Sequence, residues 1–441
     1  MPPHPIADPT ARSAPAPLAH PAQEAIDRLV DAGELAGAVA LAWRDGRVAS
    51  ELVSGWQDVE RRAPLRRDAQ FRIASLVKPV TSVAALMLHE EGRFALDDPI
   101  TNWAPEFRAP RAPRAPRALR VLRTPEGALD DTVPAERAIT FADLLTHRAG
   151  FTYGAFHVGP LRGAYRDALG PDIDSHRSPD EWIAALATLP LVDQPGRAFH
   201  YGVSTDLLGF LLARMEDAPL EDVLRRRIFD PLGMRDTTFT PSEDRLARAA
   251  GMYGFDAEGR LERRDAHPPE EPAFLPRRPS GATFVSAGSG LWSTADDYLA
   301  FARLFVEGGS VGGVRLLREA TVRHMTTNAL TRAQIAEARL LGRRLFSGQG
   351  FGLGVAVVLD AAAADPLLCR GGVGTVGWPG AYGGWWQADP TDGSVLVFLA
   401  HNALDLAGAA RGLGLGVYAA IGEFHAAETA DARRSGLRIG R

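Results

Sequence analysis

Phe71-Arg72-Ile73-Ala74-Ser75-Leu76-Val77-Lys78 is the stretch from which the rest of the chain can be read. From Ser75 to Glu91 apolar residues recur at helical spacing, at Val80, Val83, Ala84, Met87 and Leu88, and Gly92 supplies the stop. Pro79 falls near the first turn, where a missing N–H costs little. A serine and a lysine three apart at a helix start share a face, and the Ser75 amide is among the N–H groups that such a start leaves unpaired. One turn thus offers a hydroxyl nucleophile, an amine and an oxyanion donor. A hydroxyl needs a proton acceptor to attack a carbonyl, and a neutral or partly desolvated lysine can be one.

Ser-x-x-Lys alone is a weak motif, but here the lysine is singular. Lys78 is the only lysine among 49 basic residues, so the other 48 are arginine. Arginine keeps its charge in a protein, whereas a desolvated lysine can approach neutrality and act as a base. Lys78 is therefore a candidate for work that arginine cannot do, set against a leftover surface lysine. With 17 serines in 441 residues, a randomly placed lysine has a serine three before it about one time in 26.

Working outward, an amphipathic helix is expected from Pro21 to about Val30. The β-suited runs Gly37 to Trp43 and Arg47 to Trp56 are joined through Asp45-Gly46, a two-residue hairpin signal. The middle, about residues 140 to 345, carries mostly helical pattern broken by turns such as Gln194-Pro195-Gly196. Strand signals return at Gly352 to Leu359 and Gly393 to Ala400, followed by an apolar helix from about Ala403 to Ile421. Sheet at both ends with helices between implies a discontinuous α/β domain, 21–75 with 291–425, interrupted by a mainly helical domain, 76–290. Residues 1–20, rich in Pro, Ala and His, read as a disordered tail, and 426–441 as a C-terminal tail. Between Ala109 and Arg123 arginines fall every third position among Ala-Pro pairs, which reads as a solvated insertion with polyproline II periodicity.

Composition narrows the function classes. The net charge of -5 gives no general reason to expect nucleic acid. No apolar run approaches a membrane span, and Met1-Pro2-Pro3-His4-Pro5 opens no basic-then-apolar leader. With one cysteine, Cys369, read as a small buried residue, these features make a cytoplasmic protein the expectation. The histidines His147, His157, His200 and His401 show no metal-ligand spacing, so neither metal nor cofactor is expected. Gly202-Val203-Ser204-Thr205-Asp206 lacks the last glycine of a Gly-x-Ser-x-Gly elbow.

Between about Gly37 and Ala400 the sequence resembles the serine hydrolases that share the class C β-lactamase fold with penicillin-binding proteins and family VIII carboxylesterases. The Ser75-to-Lys78 stretch matches the family's nucleophile and lysine. Leu88 to Arg93, Leu96-Asp97-Asp98-Pro99 and Leu144-Leu145-Thr146-His147-Arg148-Ala149-Gly150-Phe151 are similar to its fold markers. The resemblance implies a β-lactamase/transpeptidase-like α/β fold, an antiparallel sheet flanked by helices plus a helical domain. It places the family's second catalytic group at Tyr201, within Pro195 to Gly209, where Asp206, Leu208 and Gly209 look like the esterase version. An adjacent ammonium favours a phenolate, so Tyr201 and Lys78 are read as one coupled pair sharing a proton. The third element, Lys-Thr-Gly in lactamases, looks replaced by Trp378-Pro379-Gly380. An indole presents no cation to a substrate carboxylate, so neutral acyl esters are the expected substrates.

The same alignment makes the Ala381 amide the second oxyanion donor beside that of Ser75. Trp378, Pro379, Gly380, Tyr153 and Trp385 are the expected substrate-binding residues, although Trp385 and Trp386 could equally pack in the core. Arg235 in Pro231 to Thr237, and Gly288 to Asp297 with Thr294 and Asp297 spaced as a capping box, also match family stretches and are read as structural. A carboxylesterase acting on a small-molecule ester is the leading expectation. A β-lactamase or D-Ala-D-Ala peptidase, an acyltransferase to a metabolite hydroxyl, and a non-catalytic binding protein on the same scaffold are the alternatives.

Overall fold

The computed structural model describes residues 20–108, 119–170, 175–265, 284–403 and 412–434. The chain opens with helix α1 (Gln23–Asp31) and strands β1 (Gly37–Arg44), β2 (Arg47–Asp58) and β3 (Ala63–Pro64). Asp45 and Gly46 join β1 to β2 with φ of 53° and 78°. Two consecutive positive φ values make the type I′ turn that matches strand twist, which is why Asp-Gly predicts the hairpin. Far along the chain come β4 (Gln349–Phe351), β5 (Ala356–Val358), β6 (Val376–Gly377), β7 (Trp385–Asp389) and β8 (Ser394–Ala400). They assemble in the order β4-β5-β6-β7-β8-β1-β2-β3, with every neighbouring pair antiparallel. The two ends of the chain thus meet where β1 pairs with β8, Ala38 opposite Ala400 through Trp43 opposite Val395.

The sheet is covered on both faces, and β1 is buried along its whole length. Its Ala38, Ala40 and Ala42 face α1 and the C-terminal helix, with Ile26, Val417, Ala420, Ile421 and Phe424 completing that layer. Small side chains there let the helices approach closely. Val39, Leu41 and Trp43 point the other way into the main core. That core also receives α2 (Val77–Glu90), α3 (Phe141–Leu145), α4 (Ser204–Glu216) and α5 (Ala295–Ala302). Burying each large apolar side chain of this kind is worth roughly 1.5–3 kcal/mol.

Several expectations are corrected here. The run Gly352 to Leu359 is not one strand: Gly352 N–H bonds the Val355 carbonyl at 2.8 Å, closing a turn between β4 and β5. The last helix, α6 (Gly416–Arg434), follows a turn at 412–414 and continues past 425; residues 404–411 of the expected helix lie outside the described part. Val417, Ala420, Ile421 and Phe424 give it the helical apolar stripe, and its Glu428 is buried against His20 and Ser50. His20 is not loose tail, since its Nε2 meets Glu428 Oε1 at 2.8 Å; residues 1–19 lie outside the described part. Residues 109–118 of the Arg/Pro insertion also lie outside it. Arg120–Leu122 is a strand paired with Thr132–Pro134, not polyproline II. At α5, Thr294 accepts from the Asp297 amide, but the Asp297 carboxylate turns instead to the Asp236 amide and the Thr237 hydroxyl, so the box is half formed. Among the described residues, no helix is long and apolar enough to cross a membrane.

Candidate active site

The strand Phe71–Arg72 that leads into Ser75 is fixed from two sides. It pairs with Trp292–Ser293, and the Arg72 amide donates to Nε2 of His401 at 3.0 Å. The other nitrogen of His401 lies 2.7 Å from the Ala250 carbonyl, so the neutral ring spends both nitrogens on backbone. Burial lowers the His401 pKa to about 4. Ala74 then takes φ of +46°, in the left-handed region that costs an L-residue about 1–2 kcal/mol, and is buried against Met252 and Tyr382. This sharp corner turns the chain from strand into the short helical turn Ala74–Leu76 and on into α2.

The corner sets Ser75 and Lys78 side by side. Lys78 is 1% exposed, and its Nζ donates to Ser75 Oγ at 3.3 Å, Tyr153 Oη at 3.0 Å and the Gly288 carbonyl at 2.9 Å. Three acceptors match the three N–H bonds of an ammonium. No described carboxylate pairs directly with it. Tyr201 Oη lies 2.7 Å from Ser75 Oγ, and the Lys78 Nζ sits 4.7 Å from the centre of the Tyr201 ring. Tyr201 is held from behind, where the His200 amide donates to the His147 carbonyl at 2.8 Å and the His147 ring lies 4.9 Å from that of Tyr201. Burial, reinforced by repulsion from Lys78, keeps His147 well below the ordinary histidine pKa.

Trp378 enters from the sheet side. Its indole Nε1–H donates to Tyr201 Oη at 3.1 Å, so the residue in place of the expected cation engages the phenol directly. The following Gly380 lies against the Ser75 corner, since a Cβ there would stand 2.7 Å from the Ile73 carbonyl oxygen. This contact requires glycine and brings the Trp378-Pro379-Gly380-Ala381 segment alongside the Ser75 turn. Tyr153, Phe156, Tyr201 and Trp378 form an aromatic cluster beside Ser75, with Phe156 5.5 Å from Tyr153 and 6.2 Å from Tyr201. Phe156 is a wall the sequence reading did not single out.

Of the expected residues, the structure brings together Ser75, Lys78, Tyr201, Tyr153, Trp378 and Gly380. Trp385 is the correction. It lies in the layer beneath α6, against His425 at 6.2 Å, while Trp386 faces α5 and packs on Tyr298 and Phe305. Alternation along β7 sends the two indoles to opposite faces, and neither walls the site. Cys369 is buried, and burial pushes its thiol pKa up, as suits a packed residue.

The chain belongs to the Beta-lactamase family, whose family model matches residues 22–415. It is 44% identical to Protein Rv1367c of Mycobacterium tuberculosis over 384 residues, 87% of this chain and 90% of that one. It is 30% identical to Esterase EstB of Burkholderia gladioli over 414 residues, 90% and 94% of the two chains. Among solved structures, it superposes on EstCE1, described as a hydrolase with promiscuous acyltransferase activity, with a TM-score of 0.70. That likeness has 27% identity and covers 90% of this chain and 97% of the other.

Proposed function

We propose that this chain is a serine carboxylesterase that cleaves short, neutral acyl esters of small molecules through an acyl-enzyme on Ser75. The observation that carries the reading is the convergence on Ser75 Oγ of Tyr201 Oη at 2.7 Å and Lys78 Nζ at 3.3 Å. Ser75 Oγ attacks the ester carbonyl while its proton passes to the Lys78–Tyr201 pair. The amides of Ser75 and Ala381 face the oxyanion that forms. Collapse expels the alkoxide, which takes the proton back from the pair. Water then attacks the acyl-enzyme by the same route and releases the carboxylic acid and free Ser75. The Trp378 N–H at Tyr201 Oη stabilises negative charge on the phenol, and Lys78 under the ring acts in the same sense.

The aromatic cluster of Tyr153, Phe156, Tyr201 and Trp378 suits an uncharged acyl group, and the esterase EstB supports the same class of bond. A second reading is transfer of the acyl group to an alcohol, favoured by the acyltransferase activity attributed to EstCE1. It needs only that a hydroxyl replace water at the second step. The test is turnover of p-nitrophenyl butyrate by wild type and Ser75→Ala, with products analysed in the presence of small alcohols. Loss of at least about 10³-fold in Ser75→Ala is expected; full turnover by that variant ends the mechanism. New ester formed with added alcohol favours transfer.

A further inference from the structure

We infer that Asp206, in the first turn of α4, is a positioning residue that sets the place and protonation of Lys78. The inference rests on the Ser75–Lys78–Tyr201 reading above. Asp206 is fully buried, and its Oδ1 accepts from Ser286 Oγ at 2.6 Å and from the Gly288 amide at 3.1 Å. The carbonyl of that same Gly288 is an acceptor for the Lys78 ammonium at 2.9 Å. One loop residue thus holds the carboxylate by its N–H and the lysine by its C=O. Thr81 of α2 anchors the loop next door, donating to the Ala287 carbonyl at 2.7 Å.

The other carboxylate oxygen, Oδ2, is buried without a hydrogen-bond partner among the described residues. A Cβ placed on Gly288 would stand 2.9 Å from that oxygen, 3.0 Å from Tyr153 Oη and 3.2 Å from Lys78 Nζ. Carboxylate, phenol and ammonium therefore surround a single Cα–H, and glycine alone fits between them. The two opposite charges are kept close without touching. A direct ion pair would take an N–H of Lys78 away from Ser75; the intervening glycine leaves all three N–H bonds for Ser75, Tyr153 and Gly288 while Asp206 still balances the buried charge. Burial raises the Asp206 carboxyl pKa, opposed in part by Lys78, Ser286 and the Gly288 amide.

The ionisable groups turned toward this pocket are Lys78 from α2, Tyr153 and His147 from the segment after α3, and Tyr201 from the turn before α4. The helix Leu220–Leu224 meets α4 through Leu220, and its Glu221 and Asp222 are engaged outside by Arg225. Among the described residues, Asp206 is thus the carboxylate turned toward this pocket.

The test is the pH dependence of Ser75 labelling by a fluorophosphonate, and of kcat/KM for p-nitrophenyl butyrate, in wild type, Asp206→Asn, Ser286→Ala and Ser75→Ala. Removing the negative charge beside a cation lets the proton of the Lys78–Tyr201 pair leave at lower pH. Asp206→Asn should displace both profiles acidward by about one pH unit or more and lower their maxima about tenfold or more. Ser286→Ala, which removes only a donor to Oδ1, should give a smaller displacement in the same direction, and it carries the test if Asp206→Asn does not fold. A wild-type pH profile in these variants, at full or uniformly reduced height, overturns the inference. Labelling lost in Ser75→Ala with an unmoved Asp206→Asn profile overturns this inference alone, whereas turnover retained in Ser75→Ala overturns the nucleophile assignment and this inference with it.

Discussion

The two ends of α4 handle charge in opposite ways. In its last turn Arg214 meets Glu106 at 2.8 Å and Asp180 at 2.7 Å, in direct contact and partly in solvent. In its first turn Asp206 is wholly buried and faces Lys78 across Gly288 without touching it. Both placements agree with the helix dipole. At Arg214 the cation is neutralised and used to tie α4 to neighbouring segments. At Lys78 the ammonium is left to hydroxyls and a carbonyl, one of the hydroxyls being that of Ser75. The two cations thus differ in whether their N–H bonds are spent on carboxylates, and the proposed catalytic role falls to the one whose bonds are not.

The largest effect should come from the functional end. Tyr201→Phe keeps the ring beside Lys78 and removes the oxygen that meets Ser75. Ester turnover should fall about 10³-fold with thermal stability little changed, as the loss of a general base predicts; turnover within tenfold of wild type breaks the contrast, because Lys78 would then suffice alone.

Burial without a nearby carboxylate contact is tested next at His401. Its folded-state pKa of about 4 lies below the unfolded value near 6.5, so between these the unfolded chain binds the extra proton. The stabilisation is complete above about pH 6.5 and is lost as pH falls through about 4, amounting to about 3 kcal/mol. Urea midpoints taken from pH 7 to pH 4.5 should decline more steeply in wild type than in His401→Gln; parallel slopes would show that His401 does not carry the dependence.

Smaller again is Trp378→Phe, which keeps an aromatic wall but deletes the indole N–H at Tyr201. A loss of about tenfold in kcat is expected, the worth of one hydrogen bond to a charged acceptor, with KM for p-nitrophenyl butyrate nearly unchanged. A change confined to KM would mean that the indole shapes the pocket instead. Smallest is Arg214→Ala, which should cost about 1 kcal/mol of stability and leave ester turnover as it is. Any marked drop in turnover would erase the distinction between the two ends of α4.

Much of the fold was legible because the deciding signals are local. Asp45-Gly46 fixes the hairpin register, Gly92 ends α2, and the helical spacing after Ser75 puts Lys78 on the nucleophile's face. The ends of α6 were misplaced for a physical reason. Its polar residues past 425 resemble a tail, and only the contacts of Glu428 with His20 and Ser50, and of Val417, Ala420, Ile421 and Phe424 with Ala38, Ala40 and Ala42 of β1, show that the helix packs. The adjacent Trp385 and Trp386 look alike in sequence, and only their alternation across β7 sends both into the core. Asp206 and Gly288 were visible as matching residues without a role. Their arrangement arises where segments near 78, 153, 206 and 288 converge, and no spacing within one segment records that. The same holds for the aim of the Trp378 indole at Tyr201.

Lys78→Arg keeps the positive charge and removes the titratable amine, and so separates charge from proton transfer. Turnover of p-nitrophenyl acetate, p-nitrophenyl butyrate and nitrocefin would be compared side by side in wild type and variant. Ester turnover that collapses by about 10³-fold or more in the variant, with little nitrocefin turnover in either protein, is the predicted result. Ester turnover preserved in Lys78→Arg would contradict the account, since a permanent charge would then do everything assigned to the chain's one lysine.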